Sequence, residues 1–217
     1  MRIAILGATG NLGSHALTAA IEAGHSVVAY ARRPEAVQQR DGVTAVGGEL
    51  DDTAALTAAV AGTDALIVSL TGTMKDKTFT QRTLPGILTA ARDGGVGRVV
   101  LVSAFGAGDT ATKASPFARL IYRTALKGFF DDKATAEQLL PASGVPHTVV
   151  SPVNLKEAAA KESAAIEPLD QVSRVPGLPT LPFANAGRAL VTIATNPATE
   201  GQRLLVTTAT GWKPVER

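Results

Sequence analysis

The 217-residue chain contains no cysteine. Disulfides, thiolate nucleophiles and Cys-ligated zinc or iron–sulfur sites are therefore excluded, and a reducing cytoplasm fits. Only three histidines occur, His15, His25 and His147, and no metal-ligand spacing relates them, so no metal site is expected. Charge is sparse as well: 18% of residues are charged and the net charge is +2. That excess is too small and too scattered for a nucleic-acid or anionic-membrane surface, although the basic balance favours anionic ligands. Nowhere do about 18 apolar residues follow one another, as a membrane span requires. The apolar start Ile3-Ala4-Ile5-Leu6 runs straight into glycine and lacks a signal-peptide core.

What is present is a folding composition, with 45% apolar residues and no low-complexity linker. Short apolar runs alternate with longer segments of helical period, the pattern of a doubly wound α/β protein, a parallel sheet covered on both faces. Strands are predicted near residues 2–7, 26–31, 43–47, 64–70, 97–103, 146–151 and 203–209. Helices are predicted over 11–23, 52–61, 77–94, 116–126, 131–142 and 184–195. The proline-rich stretch 168–183 reads as a loop over a ligand cleft. One domain over residues 1–217 is expected, with residues ~152–200 forming a substrate-side lid.

The most specific motif is Gly7-Ala8-Thr9-Gly10-Asn11-Leu12-Gly13. It follows a buried strand and opens an amphipathic helix, the Rossmann context of a dinucleotide loop. There Gly7 makes the tight turn, Gly10 lets backbone approach a pyrophosphate, and Gly13 lets the helix pack on the sheet. The N–H groups of Asn11 and Leu12 at the helix start would face the phosphates. NAD-selective proteins place an acid at the end of the second strand, but this chain reads Ala29-Tyr30-Ala31-Arg32-Arg33. Arg32 and Arg33 suit a 2′-phosphate, with Thr9 adding a hydroxyl, so NADP(H) is the expected cofactor. The alternative is two solvated arginines before Pro34. Farther on, Leu50 is placed to pack on an adenine and Glu49 or Asp51 to accept from its amino group, with Asp52 as a helix N-cap. Thr71 and Gly72 follow the fourth strand, where ligands of open sheets sit.

Taken together the motifs resemble the atypical short-chain dehydrogenase/reductases, especially the NmrA-like members and the small flavin/biliverdin-IXβ reductases. The supports are GATGNLG at 7–13, the arginine after strand two, GGELDD at 47–52, Asp64-Ala65-Leu66-Ile67-Val68, Val102-Ser103-Ala104, Asp132-Lys133 with Glu137, and Ser151-Pro152. The resemblance implies that Ser103 polarises an acceptor, that Lys133 holds the nicotinamide ribose, and that Pro152 and Val153 line the nicotinamide. It implies an NADPH-dependent oxidoreductase passing hydride to a conjugated acceptor such as a flavin or quinone. The alternatives are an NmrA-like redox sensor without turnover, or a ketone reductase or isomerase of secondary metabolism.

Four departures matter. Phe129 stands four residues before Lys133, where the wider superfamily carries a tyrosine acid, and Ser151 replaces the usual arginine before Pro152. Between Ser103 and Lys133 lies an insertion with Phe117, Leu120, Ile121, Tyr122, Leu126, Phe129 and Phe130, and with Arg119, Arg123 and Lys127 on one stripe. Its apolar members either wall a substrate pocket or form a buried helix face beside a solvated basic stripe. Residues 156–162 are strong helix formers where relatives carry an Asp/Gly loop. Expected partners are a small-molecule acceptor and at most a second copy of the chain, as monomer or homodimer.

Overall fold

Runs that are apolar at every position become strands buried on both faces, because helices cover both sides of a parallel sheet. The computed structural model describes residues 1–73, 75–160 and 163–215. In chain order these form β1 (Arg2–Leu6), α1 (Asn11–Glu22), β2 (Ser26–Ala31), β3 (Val43–Gly47), α2 (Thr53–Val60), β4 (Ala65–Val68), α3 (Phe79–Asp93), β5 (Val99–Val102), α4 (Pro116–Arg123), α5 (Lys127–Glu137), β6 (His147–Pro152), β7 (Asn154–Lys156), β8 (Ala164–Pro168), β9 (Val172–Arg174), β10 (Thr180–Pro182), α6 (Phe183–Thr195), β11 (Arg203–Thr208) and β12 (Lys213–Pro214). The main sheet runs β3-β2-β1-β4-β5-β6-β11-β8. It is parallel throughout except at its edge, where β8 lies antiparallel to β11. This is the doubly wound Rossmann architecture, and its order reverses direction between β1 and β4.

Side chains alternate across each strand. Ile3 and Ile5 of β1 join one core layer with Leu12, Ala16 and Ala20 of α1 and Leu190 and Ile193 of α6. Ala4 and Leu6 join the opposite layer with Leu56 of α2 and Leu84 and Ile87 of α3. Two buried polar residues close helix ends from a distance. Asp132 of α5 accepts from the backbone N–H groups of Thr80 and Gln81 at 2.9 and 3.0 Å, capping the start of α3. Arg98 donates to the carbonyls of Ile193, Ala194 and Asn196 at 2.7–3.0 Å, closing the end of α6.

The expected strands and helices are all present, with shifted ends; α5 begins and ends about a turn earlier than predicted. The predicted loop at 168–183 is corrected. It contains a 3-10 turn (Leu169–Gln171), β9 and β10, paired with β12 and β7 respectively. Its prolines stand at or outside the strand ends, and pairs this short carry no readable period. Of this segment Phe183 lines the cleft as expected, while much of the rest packs elsewhere. Lys113 Nζ donates to the Val172 carbonyl at 2.6 Å, Val175 N–H donates to the Lys113 carbonyl at 2.8 Å, and Ser115 Oγ donates to the Gly177 carbonyl at 2.7 Å. The helix-forming run at 156–162 is not helical where it is described, since Lys156 ends β7 and 157–160 are irregular. Lys161 and Glu162 lie outside the described residues.

α1 and α6 lie side by side, and Gly187 permits that contact. A Cβ there would lie 2.6 Å from the His15 backbone carbon and 2.8 Å from the Ala16 nitrogen. Gly187→Ala gains about 1 kcal/mol of helix propensity, but a backbone clash at that distance moves a whole helix. A net loss of about 1–3 kcal/mol is expected from overpacking, read as a lower urea midpoint. An unchanged or raised midpoint would show that the helices part freely.

Candidate functional site

The carboxyl ends of β1 to β6 open into one cleft of about 560 Å³. Its floor begins at the glycine loop, and each glycine there does something different. Gly7 turns the chain with φ +86°, and a Cβ on it would lie 2.1 Å from the Ser69 carbonyl oxygen. A Cβ at Gly13 would lie 2.0 Å from the Gly7 carbonyl oxygen, so the first turn of α1 rests directly on the end of β1. At Gly10 the nearest atom would be the Gly7 carbonyl oxygen at 3.3 Å, and the space beyond is cleft. Gly10 is the N-cap of α1, with no side-chain cap and no acid in the first turn. The leading N–H groups of α1 are thus left for an anion. This cradle fits a pyrophosphate.

The strand order arranges the rest. On the β2–β3 side, Arg32, Arg33 and Leu50 line the cleft. Both arginines are exposed, and no ion pair holds either among the described residues. On the β5–β6 side, Ser103, Pro152 and Val153 line it together with Phe105, Phe129, Phe130 and Phe183. From β2 to β5 is three strand spacings, roughly 14 Å, so the cleft suits an extended dinucleotide.

A model of the NAD(P)H-binding family matches residues 7–197. The chain belongs to that family. No curated protein matches it. Among solved structures, the oxidoreductase ylbE of Lactococcus lactis has a TM-score of 0.79 at 20% identity, covering 98% of this chain and 93% of its own. ChuY of Escherichia coli, an anaerobilin reductase, has a TM-score of 0.78 at 21% identity, covering 99% and 100%. A short-chain dehydrogenase/reductase of Veillonella parvula in complex with NADP has a TM-score of 0.79 at 15% identity, covering 98% and 96%. At these identities the likeness is one of fold, the doubly wound Rossmann fold anticipated from the motifs.

Most of the expected site residues meet at the cleft: Gly7, Thr9, Gly10, Asn11, Leu12, Arg32, Arg33, Leu50, Thr71, Ser103, Pro152 and Val153. Four do not line it. Gly13 packs beneath the loop, as its close approach requires. Glu49 is exposed and is not among the residues lining the cleft, while its carbonyl accepts from the Tyr30 hydroxyl at 2.9 Å. Gly72 packs against Phe79, where a Cβ would come within 2.5 Å. Lys133 is 3% exposed, and its Nζ donates to the carbonyls of Leu70 at 2.8 Å and Val102 at 3.2 Å. The β4–β5 ladder ends at Val68 and Leu101, so the ammonium ties the two strands together just beyond their last pairing. The Phe129 ring, centred 6.0 Å away, stands beside it.

The insertion divides between its two readings. Leu126, Phe129 and Phe130 line the cleft, and Tyr122 is buried against the Phe130 ring with centroids 4.6 Å apart. Phe117 and Leu120 are instead exposed, at 66% and 62%. Sequence reasoning missed Tyr30, Phe105, Asn154, Leu155 and Phe183 as cleft residues. It also missed what lies behind Ser103. The Ser103 hydroxyl donates to Glu137 Oε1, and Arg203 donates to Glu137 Oε2 at 3.1 Å. Arg203 also holds both carboxylate oxygens of Asp109, at 2.7 and 2.9 Å. Burial raises the Glu137 carboxyl above its ordinary value, against the opposing Ser103 hydrogen bond and the Arg203 charge.

Burial lowers the Lys133 amine from 10.5 to about 8, against the nearby Asp132 and Glu137 carboxylates. Between those two values the unfolded chain holds a proton that the fold does not. Stability therefore rises with pH across that window, by up to about 1.4 kcal/mol per pH unit. Urea unfolding at pH 7 and pH 10 should show this rise, and Lys133→Met should lack it. Equal pH dependence in the two proteins would mean that the amine titrates normally.

Proposed function

We propose that the protein is an NADPH-dependent oxidoreductase that passes hydride to a planar conjugated acceptor of the flavin or quinone class. The observation that carries this reading is the one continuous lining of the cleft, cationic on the β2–β3 side and aromatic on the β5–β6 side. The phosphate cradle and the two unpaired arginines favour a dinucleotide with an extra phosphate, because a guanidinium meets phosphate with charge-assisted, paired hydrogen bonds. Leu50 offers the adenine an apolar face. A bound dihydronicotinamide supplies the hydride, and the protein's work is binding and orientation. Pro152 and Val153 fix the far end of the cofactor, while Phe105, Phe129, Phe130 and Phe183 favour flat rings by area and by offset or edge contact. Asn154, Leu155 and Phe183 form the wall that the 152–200 segment adds on the acceptor side. A reductase and an NADP complex among structures of the same fold support the same reading.

A regulator that binds the dinucleotide without turnover is the second reading. The exposed Phe117 and Leu120 on α4 favour it as a partner surface, whereas a cleft of this size lined by converging polar and aromatic groups favours an enzyme.

NADPH should bind more tightly than NADH. Arg32→Ala should remove about 1.5–3 kcal/mol of that preference, the worth of hydrogen bonds to a charged group. Calorimetry showing equal affinity for the two cofactors in the parent protein would remove Arg32 and Arg33 from the cofactor site. A panel of flavins, quinones and carbonyls followed by NADPH oxidation tests the reaction itself. Quinones and flavins should outpace simple aliphatic ketones, and any flavin should dissociate on gel filtration. Aliphatic ketones as the best substrates would overturn the acceptor class, and no oxidation with any of them would favour the regulator.

A further inference from the structure

The cleft lacks an obvious proton donor on its acceptor side. Phe129 carries no exchangeable proton, Lys133 Nζ is committed to two carbonyls, and Tyr122 is buried outside the cleft lining, its hydroxyl bonded to Asn154. Ser103 does line the cleft, but its hydroxyl proton points away from it, onto Glu137. With Glu137 ionised, Ser103 can only accept from the cleft. With Glu137 protonated, the same pair reverses: Glu137 donates to Ser103 Oγ, and the Ser103 hydroxyl is free to donate to an acceptor.

We infer that Glu137 is a positioning residue that acts through Ser103, delivering a proton from the protein surface to the acceptor in the cleft. The path is laid out by exposure. The Asp109 side chain is 64% exposed, that of Arg203 39%, that of Glu137 11%, and Ser103 as a whole 4%. Asp109 belongs to the 3-10 turn Gly108–Lys113, Arg203 to β11, Glu137 to α5, and Ser103 follows β5. Four elements thus converge on one line from solvent to cleft. Arg203 cannot pass a proton itself, since guanidinium does not deprotonate in proteins. It orients Glu137 by holding Oε2, and the doubly bonded Asp109 fixes Arg203 in turn. The relay requires water to reach the Glu137 carboxyl through the 11% of its side chain left exposed.

The balance is simple and rests on the hydride reading above. Hydride adds to a ring atom of the acceptor, and its electron pair leaves an oxygen or nitrogen of that ring system basic. The Ser103 O–H bond breaks towards that atom, the Glu137 O–H bond breaks to restore the serine hydroxyl, and water reprotonates the carboxylate. No other oxidant or reductant takes part.

The charged groups facing Glu137 are Arg203 from β11, Asp109 from the 3-10 turn, and Lys133 one turn back on α5. The protonated carboxyl is the competent form, and its pKa is raised by burial. Turnover should therefore be full below that pKa and fall as pH rises through it. With NADPH and menadione as the probe pair, Glu137→Gln should lose this limb and slow kcat roughly tenfold. A simple carbonyl should lose more, on the order of 10²-fold, because it depends more on a donor. Ser103→Ala should slow kcat equally, and the double variant should be no slower than either single one. NADPH affinity, measured by fluorescence titration, should be unchanged in all three. A readout independent of turnover is the ¹³C carboxyl titration of Glu137 in the protein without cofactor. It should lie above the ordinary carboxylate range and move higher still in Ser103→Ala, which removes a hydrogen bond to the ionised form and keeps the test open should Glu137→Gln fail to fold. Additive losses, an unchanged pH profile in Glu137→Gln, or an ordinary carboxyl titration indifferent to Ser103 would each overturn the relay while leaving the oxidoreductase reading intact. Tight NADPH binding with no turnover of any acceptor would overturn both.

Discussion

Backbone rests on backbone where the first turn of α1 meets the end of β1, and the geometry of the cleft follows from that contact. The Gly7 carbonyl sits where a side chain at position 13 would be, and the Ser69 carbonyl sits where one at position 7 would be. Two strands and a helix therefore converge to within van der Waals distance with no side chain between them. The consequence is electrostatic as well as steric. The uncapped start of α1 is held at the carboxyl edge of the sheet, where its N–H groups meet solvent or an anion instead of protein. Gly187 repeats the device on the outer side, letting α6 lie close enough to hold α1 from behind.

From that fixed point the strand order distributes chemistry. Strands to one side of β1 end in cationic or small residues, and those beyond β4 end in aromatic and apolar ones. An extended ligand laid across the switch point meets a charged region first and a dry one last. Electrostatic terms strengthen where water is excluded, so a polar contact near Ser103 has more effect than one near Arg32, which is exposed and screened.

Features that depend on neighbours in sequence were legible before the fold was known. The glycine loop, the arginines after β2 and the Asp52 cap are local devices, and Asp52 does accept from the Ala55 N–H at 2.9 Å. The apolar runs marked β4 and β5 most plainly, because both are apolar and buried at every position and leave no polar residue to confuse the pattern. What was not legible depends on residues far apart. Ser103 and Glu137 are 34 residues apart, and Glu137 and Arg203 are 66 apart. Nothing in the spacing announces that three elements meet there. β9, β10 and β12 are two or three residues long, below the length at which alternation can be read. The insertion resisted reading because its apolar residues part three ways: Leu126, Phe129 and Phe130 wall the cleft, Tyr122 is buried, and Phe117 and Leu120 fit neither reading, being exposed.

Lys133 and Phe129 show how one substitution reassigns its neighbours. A hydroxyl four residues before the lysine would give the ammonium a partner in the cleft and a reason to remain charged. With a phenyl ring there instead, the amine stands beside an apolar wall and bonds to two carbonyls at the strand ends. Burial then pulls its pKa down to about 8, which still leaves the amine mostly protonated at neutral pH, and its two carbonyl bonds make it a brace for the β4–β5 edge. The same ring adds flat apolar surface where an acceptor would lie. The Phe129 ring thus offers the cleft flat surface but no hydroxyl, and the only cleft hydroxyl backed by a buried carboxyl among the described residues is that of Ser103.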